Sequence, residues 1–453
     1  MRHCHAGQKT RSGPGFFMVF LALIQILLIS TPSHGQKASL SAPGPKTLIN
    51  ALKGKDSAKK NQAMEYIKEN KPGDLLPILS SLAHKSWNEK DRNMALTVIK
   101  MYPPDTAVPF LVDVLEKTDS QETKIKLIDY LSPFNDRRSV IPIAKELKNP
   151  FQPVREAAAR GLKYADDRVY PVILEMAESP NPVMKLYALQ AFNYLYDRRF
   201  YNTIISLLED ENKSIRIYAV ICLETNKLGQ SAPQLRAMAL NDKNDEVRIE
   251  AIRTIGSFGD RNSLPALYVV LNDANKDVRK ASISAMETIG EKKSSYPLSD
   301  RLARESDDEI KKSLIDAMVS LKSGGSLAGL KKILLEDKKA GLRIDAAYAL
   351  GWIKDSRGLP ILLEALDDAD FRVRAEASAA AGNFRDRSAS ASLIEVVSRD
   401  RERYVRSAAL YALKKINDRK SVIPLFDIYS TEKDPVFREQ MRSVIRSYLE
   451  KLT

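Results

Sequence analysis

The chain has 453 residues, 44% of them apolar and 28% charged, with a formal net charge of +13. That balance belongs to a folded protein and excludes a disordered or collagen-like chain, while the length alone would ask for two or three domains. Two cysteines and four histidines are too few for a disulfide framework or a histidine-rich metal centre.

The first 35 residues stand apart. Arg2, Lys9 and Arg11 precede an apolar run from Phe16 to Ile29, which gives way to Ser33-His34-Gly35. Basic, apolar, then small is the layout of a secretory signal peptide, with Gln36 as the mature start. A retained membrane anchor is the competing reading, but the run is broken by Gln25 and is short for a span of about 20 residues. Cys4 precedes the run, so a lipid-modified mature N-terminus is not indicated. Cleavage takes three positive charges from thirteen and leaves +10, with Cys222 and His84 as the remaining cysteine and histidine. The expectation is an exported protein, periplasmic in a bacterial envelope or extracellular, with no transmembrane span in the mature chain. Residues 36–45, rich in Pro, Ser and Gly, read as a flexible lead-in.

From residue 46 to 453 one unit recurs. A basic residue is followed by a small or apolar residue three positions on and an apolar pair at six and seven, at Lys60, Arg92, Lys124, Arg155, Lys185, Arg216, Arg248, Arg279, Lys311, Arg343, Arg374, Arg406 and Arg438. The intervals are 30 to 32 residues. A unit this short cannot bury its own apolar face and must stack on its neighbours, which is the mark of a solenoid. In the stretch from Leu264 to Gly290, Pro265 opens a first helix and Leu264, Leu267, Val270 and Leu271 recur at helical spacing. Asn275 is placed to cap a second helix whose inner face is Val278, Ser282, Ala285, Met286 and Ile289. Asn181, Asn212, Asn244, Asn275, Asp307, Asp370 and Asp434 all stand four residues before their basic residue, as caps should. Prolines 16 to 18 residues after it, from Pro77 to Pro424, are read as opening the next first helix, and Asp-Arg pairs such as Asp260-Arg261 mark the turns between units.

These features resemble HEAT-like repeats of the phycobilin-lyase type, most clearly at Val154-Arg155 with Ala158, Val247-Arg248 with Ala251, Val373-Arg374 with Ala377 and Val405-Arg406 with Ala409. The resemblance implies an all-α, right-handed, armadillo-like solenoid of about 13 helical hairpins. The Trp-Leu-Gly-Tyr pattern of tetratricopeptide repeats is absent. The family's enzymes do not carry over: HEAT-like hydroxylases need paired His-Glu motifs, and here His84 is followed by Lys85. Phycobilin lyases act on cytoplasmic pigment proteins, and no local motif matches the alkylpurine glycosylases.

No other catalytic pattern appears. Gly324-Gly325-Ser326-Leu327-Ala328 lacks the second glycine and the preceding strand of a nucleophile elbow. No phosphate-binding or dinucleotide fingerprint occurs. The sequence therefore offers no catalytic, cofactor-binding or metal-ligating residue, and the expectation is no cofactor and no enzyme. The recurring basic residue is read as pairing with the Asp of an adjacent turn in a structural ladder.

On a helical wheel the residues one, five and eight after the basic residue point away from the hairpin core, onto the concave face of such arrays. There the chain carries Leu186, Ile217, Ile221 and Ile249, beside Tyr187, Tyr194 and Tyr218, and further on Ile344, Tyr348 and Trp352, with Tyr411 two units later. These are the candidate partner-binding residues, since apolar strips rimmed by polar groups mark interaction sites. The alternative is that they pack between neighbouring second helices. The resulting expectation is a non-enzymatic exported scaffold or adaptor holding a protein or peptide. A second reading, prompted by the charge, is an electrostatic binder of an acidic glycan, lipid headgroup or nucleic acid, with nucleic acid disfavoured by export and contact with an anionic envelope surface left open.

Overall fold

A computed structural model describes residues 42–450, apart from 135, 164–168 and 196–197. The signal-peptide segment, most of the lead-in, the Asp167-Arg168 turn and Asp197 lie outside the described residues. Within them are 26 α-helices joined by short 3-10 turns, with no strand. They alternate as first and second helices of hairpins, two for each of the thirteen basic residues.

The chain divides into two compact units at Asp119 and Ser120. The first holds α1 (Pro45–Lys53), α2 (Ser57–Asn70), α3 (Leu75–Lys85), α4 (Glu89–Ile99) and α5 (Pro104–Lys117). Its helices close over Leu52, Ile67, Leu75, Leu79, Ile99 and Leu111, all fully buried. Helix α1 starts at Pro45, where the missing N–H costs nothing, so the last lead-in residue is already helical.

The second unit starts with α6 (Gln121–Leu131) and continues through α7 (Arg137–Lys145), α8 (Gln152–Gly161), α9 (Tyr170–Glu178), α10 (Pro182–Leu195), α11 (Tyr201–Leu207), α12 (Lys213–Thr225) and α13 (Ala232–Asn241). Then come α14 (Asp245–Phe258), α15 (Leu264–Val270), α16 (Lys276–Ile289), α17 (Ser295–Leu302), α18 (Asp308–Leu321), α19 (Leu327–Glu336) and α20 (Ala340–Ile353). The unit ends with α21 (Gly358–Glu364), α22 (Phe371–Phe384), α23 (Ser390–Arg399), α24 (Arg403–Ile416), α25 (Val422–Thr431) and α26 (Pro435–Leu449). Even-numbered helices here are the second helices of their hairpins, and from α6 to α26 each packs against the next.

The caps fall where the spacing places them. Asn212, Asn244, Asn275, Asp307, Asp370 and Asp434 each accept a hydrogen bond from a backbone N–H of the first turn, and Asn181 accepts one from Val183. Each such cap stabilises its helix by about 1 kcal/mol. The acids of Asp260-Arg261, Asp386-Arg387 and Asp418-Arg419 cap the 3-10 turns between hairpins. Two prolines depart from the expected opening role: Pro109 and Pro142 lie inside α5 and α7, and α5 is opened by Pro103-Pro104 instead.

From α14 to α24 the second helices end on a left-handed residue, a conformation glycine adopts most readily. Gly259 and Gly290 do so, but Lys322, Lys354, Arg385 and Asn417 stand in the same conformation after α18, α20, α22 and α24. A side chain there costs about 1 kcal/mol, offset in part by a cation's attraction to the helix C-terminus.

Candidate interaction surface

The recurring basic residue lies in the first turn of its second helix, and from Lys185 to Arg406 it reaches toward the turn inside the following hairpin. Arg216, Arg279, Arg343 and Arg374 each clasp an acid with Nε and Nη2: Asp242 at 2.8 and 2.8 Å, Glu305 at 3.0 and 3.2 Å, Asp368 at 2.7 and 2.8 Å, Asp400 at 2.7 and 3.0 Å. Lys185, Arg248 and Lys311 make single contacts to Asp210, Asp273 and Asp337 at 2.5, 3.0 and 2.6 Å, and Arg406 sits 3.9 Å from Glu432.

Each acid stands six residues before the next basic residue, so it is not the Asp of the Asp-Arg pairs. For the aspartates of the ladder, the backbone carbonyl also accepts from that next residue, always an arginine there, as Asp242 O does from Arg248 Nη1 at 2.9 Å and Asp368 O from Arg374 Nη1 at 2.9 Å. One acid thus joins two hairpins. Burial alone would raise the Asp400 and Glu305 carboxyls, but the arginine and backbone N–H groups donating to them hold both below the usual carboxylate range. The ladder forecast from the sequence is present from Lys185 to Arg406, and there its arginines are occupied structurally.

The candidate strip divides in two. Leu186, Tyr187, Tyr194, Ile217, Ile221 and Ile249 are half-buried, while Tyr218 is exposed. Ile344 is half-buried, whereas Tyr348, Trp352 and Tyr411 are about half exposed, at 51, 47 and 50%. Of the residues one, five and eight after the basic residue, the fifth lies in the outward row and the eighth does not. Gly256, Gly351 and Gly382 at the eighth place are buried, and so is the fourth place from Leu189 to Leu410. Each second helix touches its neighbours as well as its own first helix, which turns the outward row toward the second, fifth and ninth places.

Glycine fixes how close those neighbours come. A Cβ on Gly256 would lie 3.0 Å from the Ala285 Cα, one on Gly351 2.8 Å from the Ala380 Cα, and one on Gly382 2.6 Å from the Ala412 Cα. Helices α14 and α16, α20 and α22, and α22 and α24 therefore meet nearly backbone to backbone. On α22 the outward places are Glu376, Ala379 and Asn383, with Ala379 at the level where Tyr348 of α20 and Tyr411 of α24 stand, so those rings and Trp352 rise on either side of a low floor. Tyr348 and Trp352 stack with centroids 6.2 Å apart, and the Lys322 ammonium lies 5.1 Å from the Trp352 ring. Phe371 and Tyr404, both exposed, meet edge to face at the other end of the trough. Glu376 on its floor is half-buried and has no hydrogen bond among the described residues; burial pushes its carboxyl up, with Lys415 opposing. Phe371, Tyr404 and Glu376 were not singled out from sequence, although their place in the repeat marks them.

Between α14 and α16 runs a groove of about 670 Å³ lined by Ile249, Arg253, Ser257, Lys280, Ser284 and Thr288. In the first unit a smaller groove brings together Ser80, His84 and Asp113. It is not a nucleophilic relay: Ser80 Oγ donates to Asp113 Oδ2 at 2.8 Å, and His84 Nδ1 donates to the Ser80 carbonyl at 2.8 Å. The Cys222 thiol is fully buried and donates to the Leu189 carbonyl at 3.2 Å, and burial pushes its pKa far up, so it is a core group. Among the described residues no cluster of three or more His, Cys, Asp or Glu is placed to hold a metal, and no helix is long and apolar enough to cross a membrane.

Stacked hairpins, capped second helices and an acid-base ladder define an α-solenoid. The family described as HEAT repeats matches residues 232–319, 307–382 and 359–446. Residues 232–446 are thus HEAT repeats. Solved structures of Kap121p bound to Ste12p and to Nup53p are similar in fold, at 13 and 14% identity and a TM-score of 0.51 each. The match covers 89 and 90% of this chain but 52 and 53% of those chains, so this chain spans about half their length. Kap121p bound to Pho4p matches at 14% identity and a TM-score of 0.50, over 89% of this chain and 52% of that one. No curated protein sequence matches the chain.

Proposed function

We propose that this HEAT-repeat chain is a non-catalytic, exported scaffold or adaptor that holds a protein or peptide partner along the second-helix face of its larger unit. The observation that carries the reading is the aromatic trough over α20, α22 and α24. There Tyr348, Trp352 and Tyr411 stand about half exposed where the repeat asks only for solvated residues. Large aromatics supply much of the energy at protein interfaces and burden a surface that meets only water. Kap121p, similar in fold, has been solved with Ste12p, Nup53p and Pho4p bound, which supports protein binding as a use of such arrays. Export rests on the order of basic, apolar and small residues before Gln36.

The test is proximity labelling in the native host, comparing the natural chain with Tyr348→Ser/Trp352→Ser. Loss of the dominant labelled protein at unchanged Tm supports the scaffold; an unchanged labelling pattern refutes the trough as its site. A second reading, binding of an anionic partner, is favoured by Lys354 and Arg385, exposed cations with no ion pair among the described residues. Affinity falling by orders of magnitude between about 50 and 200 mM salt would favour it over the first.

A further inference from the structure

The ladder has an arginine whose acid is missing. Every rung from Lys185 to Arg406 finds Asp or Glu six residues before the next basic residue, but six before Lys185 stands Ser179. The arginine left facing it is Arg155, 8% exposed and so as deeply placed as Arg279, whose Nε and Nη2 hold both oxygens of Glu305.

Arg155 keeps only part of that arrangement. Nη1 donates to the carbonyls of Asn149 and Pro150, each at 2.9 Å, and Nε donates to the Gln190 amide oxygen at 3.1 Å. The Tyr187 ring covers one face, 3.7 Å from Cζ. Nη2 has no acceptor among the described residues and is not among the side-chain nitrogens sealed from solvent. Among the described residues no carboxylate forms an ion pair with it: Glu146 is held by Lys124 and Asn149, and Glu156 takes a hydrogen bond from Gln152. A buried guanidinium whose partners are all neutral bears a desolvation cost that the other rungs offset with a carboxylate.

We propose that Arg155 is a receptor for a carboxylate brought by the partner, docked on Nη2 where the missing rung acid would lie. Tyr187 backs the guanidinium, and Leu186 beside it begins the aliphatic strip that continues through Ile217 and Ile221. The partner segment so defined carries an acidic group next to apolar side chains. This rests on the reading of the second-helix face as a peptide-binding surface, and it adds what the peptide must present.

The experiment uses the full mature chain and an internal acid as the blocker. Ser179→Asp rebuilds the rung and should raise Tm while closing the site; Gln190→Glu is a second way to supply the charge. Calorimetric titration compares acetyl-Leu-Asp-Tyr-Leu-amide, its Asn twin, and that Asn peptide with a free C-terminus. At least tenfold preference for a carboxylate-bearing peptide, lost in both variants, supports the proposal, and whichever of the two acids is preferred identifies side chain or chain terminus as the source. Equal binding of all three peptides, or a preference that survives Ser179→Asp, overturns it. Should no peptide bind, the peptide reading fails by itself, and acetate decides on Arg155. A saturable shift of the Arg155 Nε–H resonance in the natural chain, absent from Ser179→Asp, sustains the receptor; no shift on acetate, against chloride at equal ionic strength, ends it.

Discussion

The α10–α14 strip and the α20–α24 trough use the same repeat positions for different ends. In the first, aliphatic residues such as Ile217 and Ile221 are half-buried, and Asn193 and Glu224 occupy the eighth place on α10 and α12, with a glycine, Gly256, only on α14 where the strip ends. In the second, Gly351 and Gly382 occupy it, the backbones of α20, α22 and α24 close up, and aromatics at the outward places have nowhere to go but out. A single small residue therefore decides whether a neighbouring large one packs or is presented. Exposure on a solenoid face is set by the spacing of the helices as much as by the side chain itself.

Removing that spacing should have the largest effect. In an ordinary helix interior Gly→Ala is favourable by about 1 kcal/mol. Gly382→Ala, whose Cβ would sit 2.6 Å from the Ala412 Cα, should reverse the sign and cost about 3 kcal/mol in urea unfolding. A neutral or stabilising result would mean that the two backbones can part freely. Breaking a rung comes next. Arg374→Ala leaves Asp400 buried and without its charged partner and should cost about 2–3 kcal/mol, the loss shrinking in acid. The sign follows from a folded carboxyl held below its unfolded value: its contribution is complete above the unfolded pKa and disappears as pH falls through the folded one.

The two regions themselves separate under milder changes. Ile217→Asp/Ile221→Asp puts charge at half-buried places and should lower stability by about 1–2 kcal/mol, whereas Tyr348→Ser/Trp352→Ser should change it by less than about 0.5 kcal/mol. Equal losses, read by calorimetric unfolding, would erase the distinction between packing and presentation. The smallest effect is at Glu376. Burial raises its folded pKa, so ionisation is disfavoured in the folded state and the penalty is present above that pKa. Glu376→Gln should therefore raise Tm slightly at pH 7, with the difference vanishing as pH falls below the usual glutamate value.

Much of this architecture was legible in the chain. Period, caps and opening prolines depend on residues near in sequence, and Asn275, Asp307 and Asp434 do what their spacing says. The outward row was not, because a helical wheel built on one hairpin counts only the first helix as cover, while α10 to α26 also cover one another. Ile221 and Tyr348 sit at the same repeat position, and only the helix beside each tells them apart. The ladder's existence was legible, but its acid was sought in the Asp-Arg turn between hairpins and lies in the turn within them. Once that register is known, Ser179 is visible as an exception in the bare sequence.

The shared acid has a mechanical meaning as well. A joint in which one residue is held by its own hairpin through its carbonyl and by the preceding hairpin through its carboxylate does not yield like beads on a string. Peeling the last hairpin strips Arg406 of Glu432, and peeling the next pulls the Asp400 carboxylate from Arg374 while Asp400 keeps its carbonyl bond to Arg406. Under tension, loosening should travel inward hairpin by hairpin like a zipper, and Arg155, with no acid to pass the load to Ser179, is where such a zipper has a missing tooth.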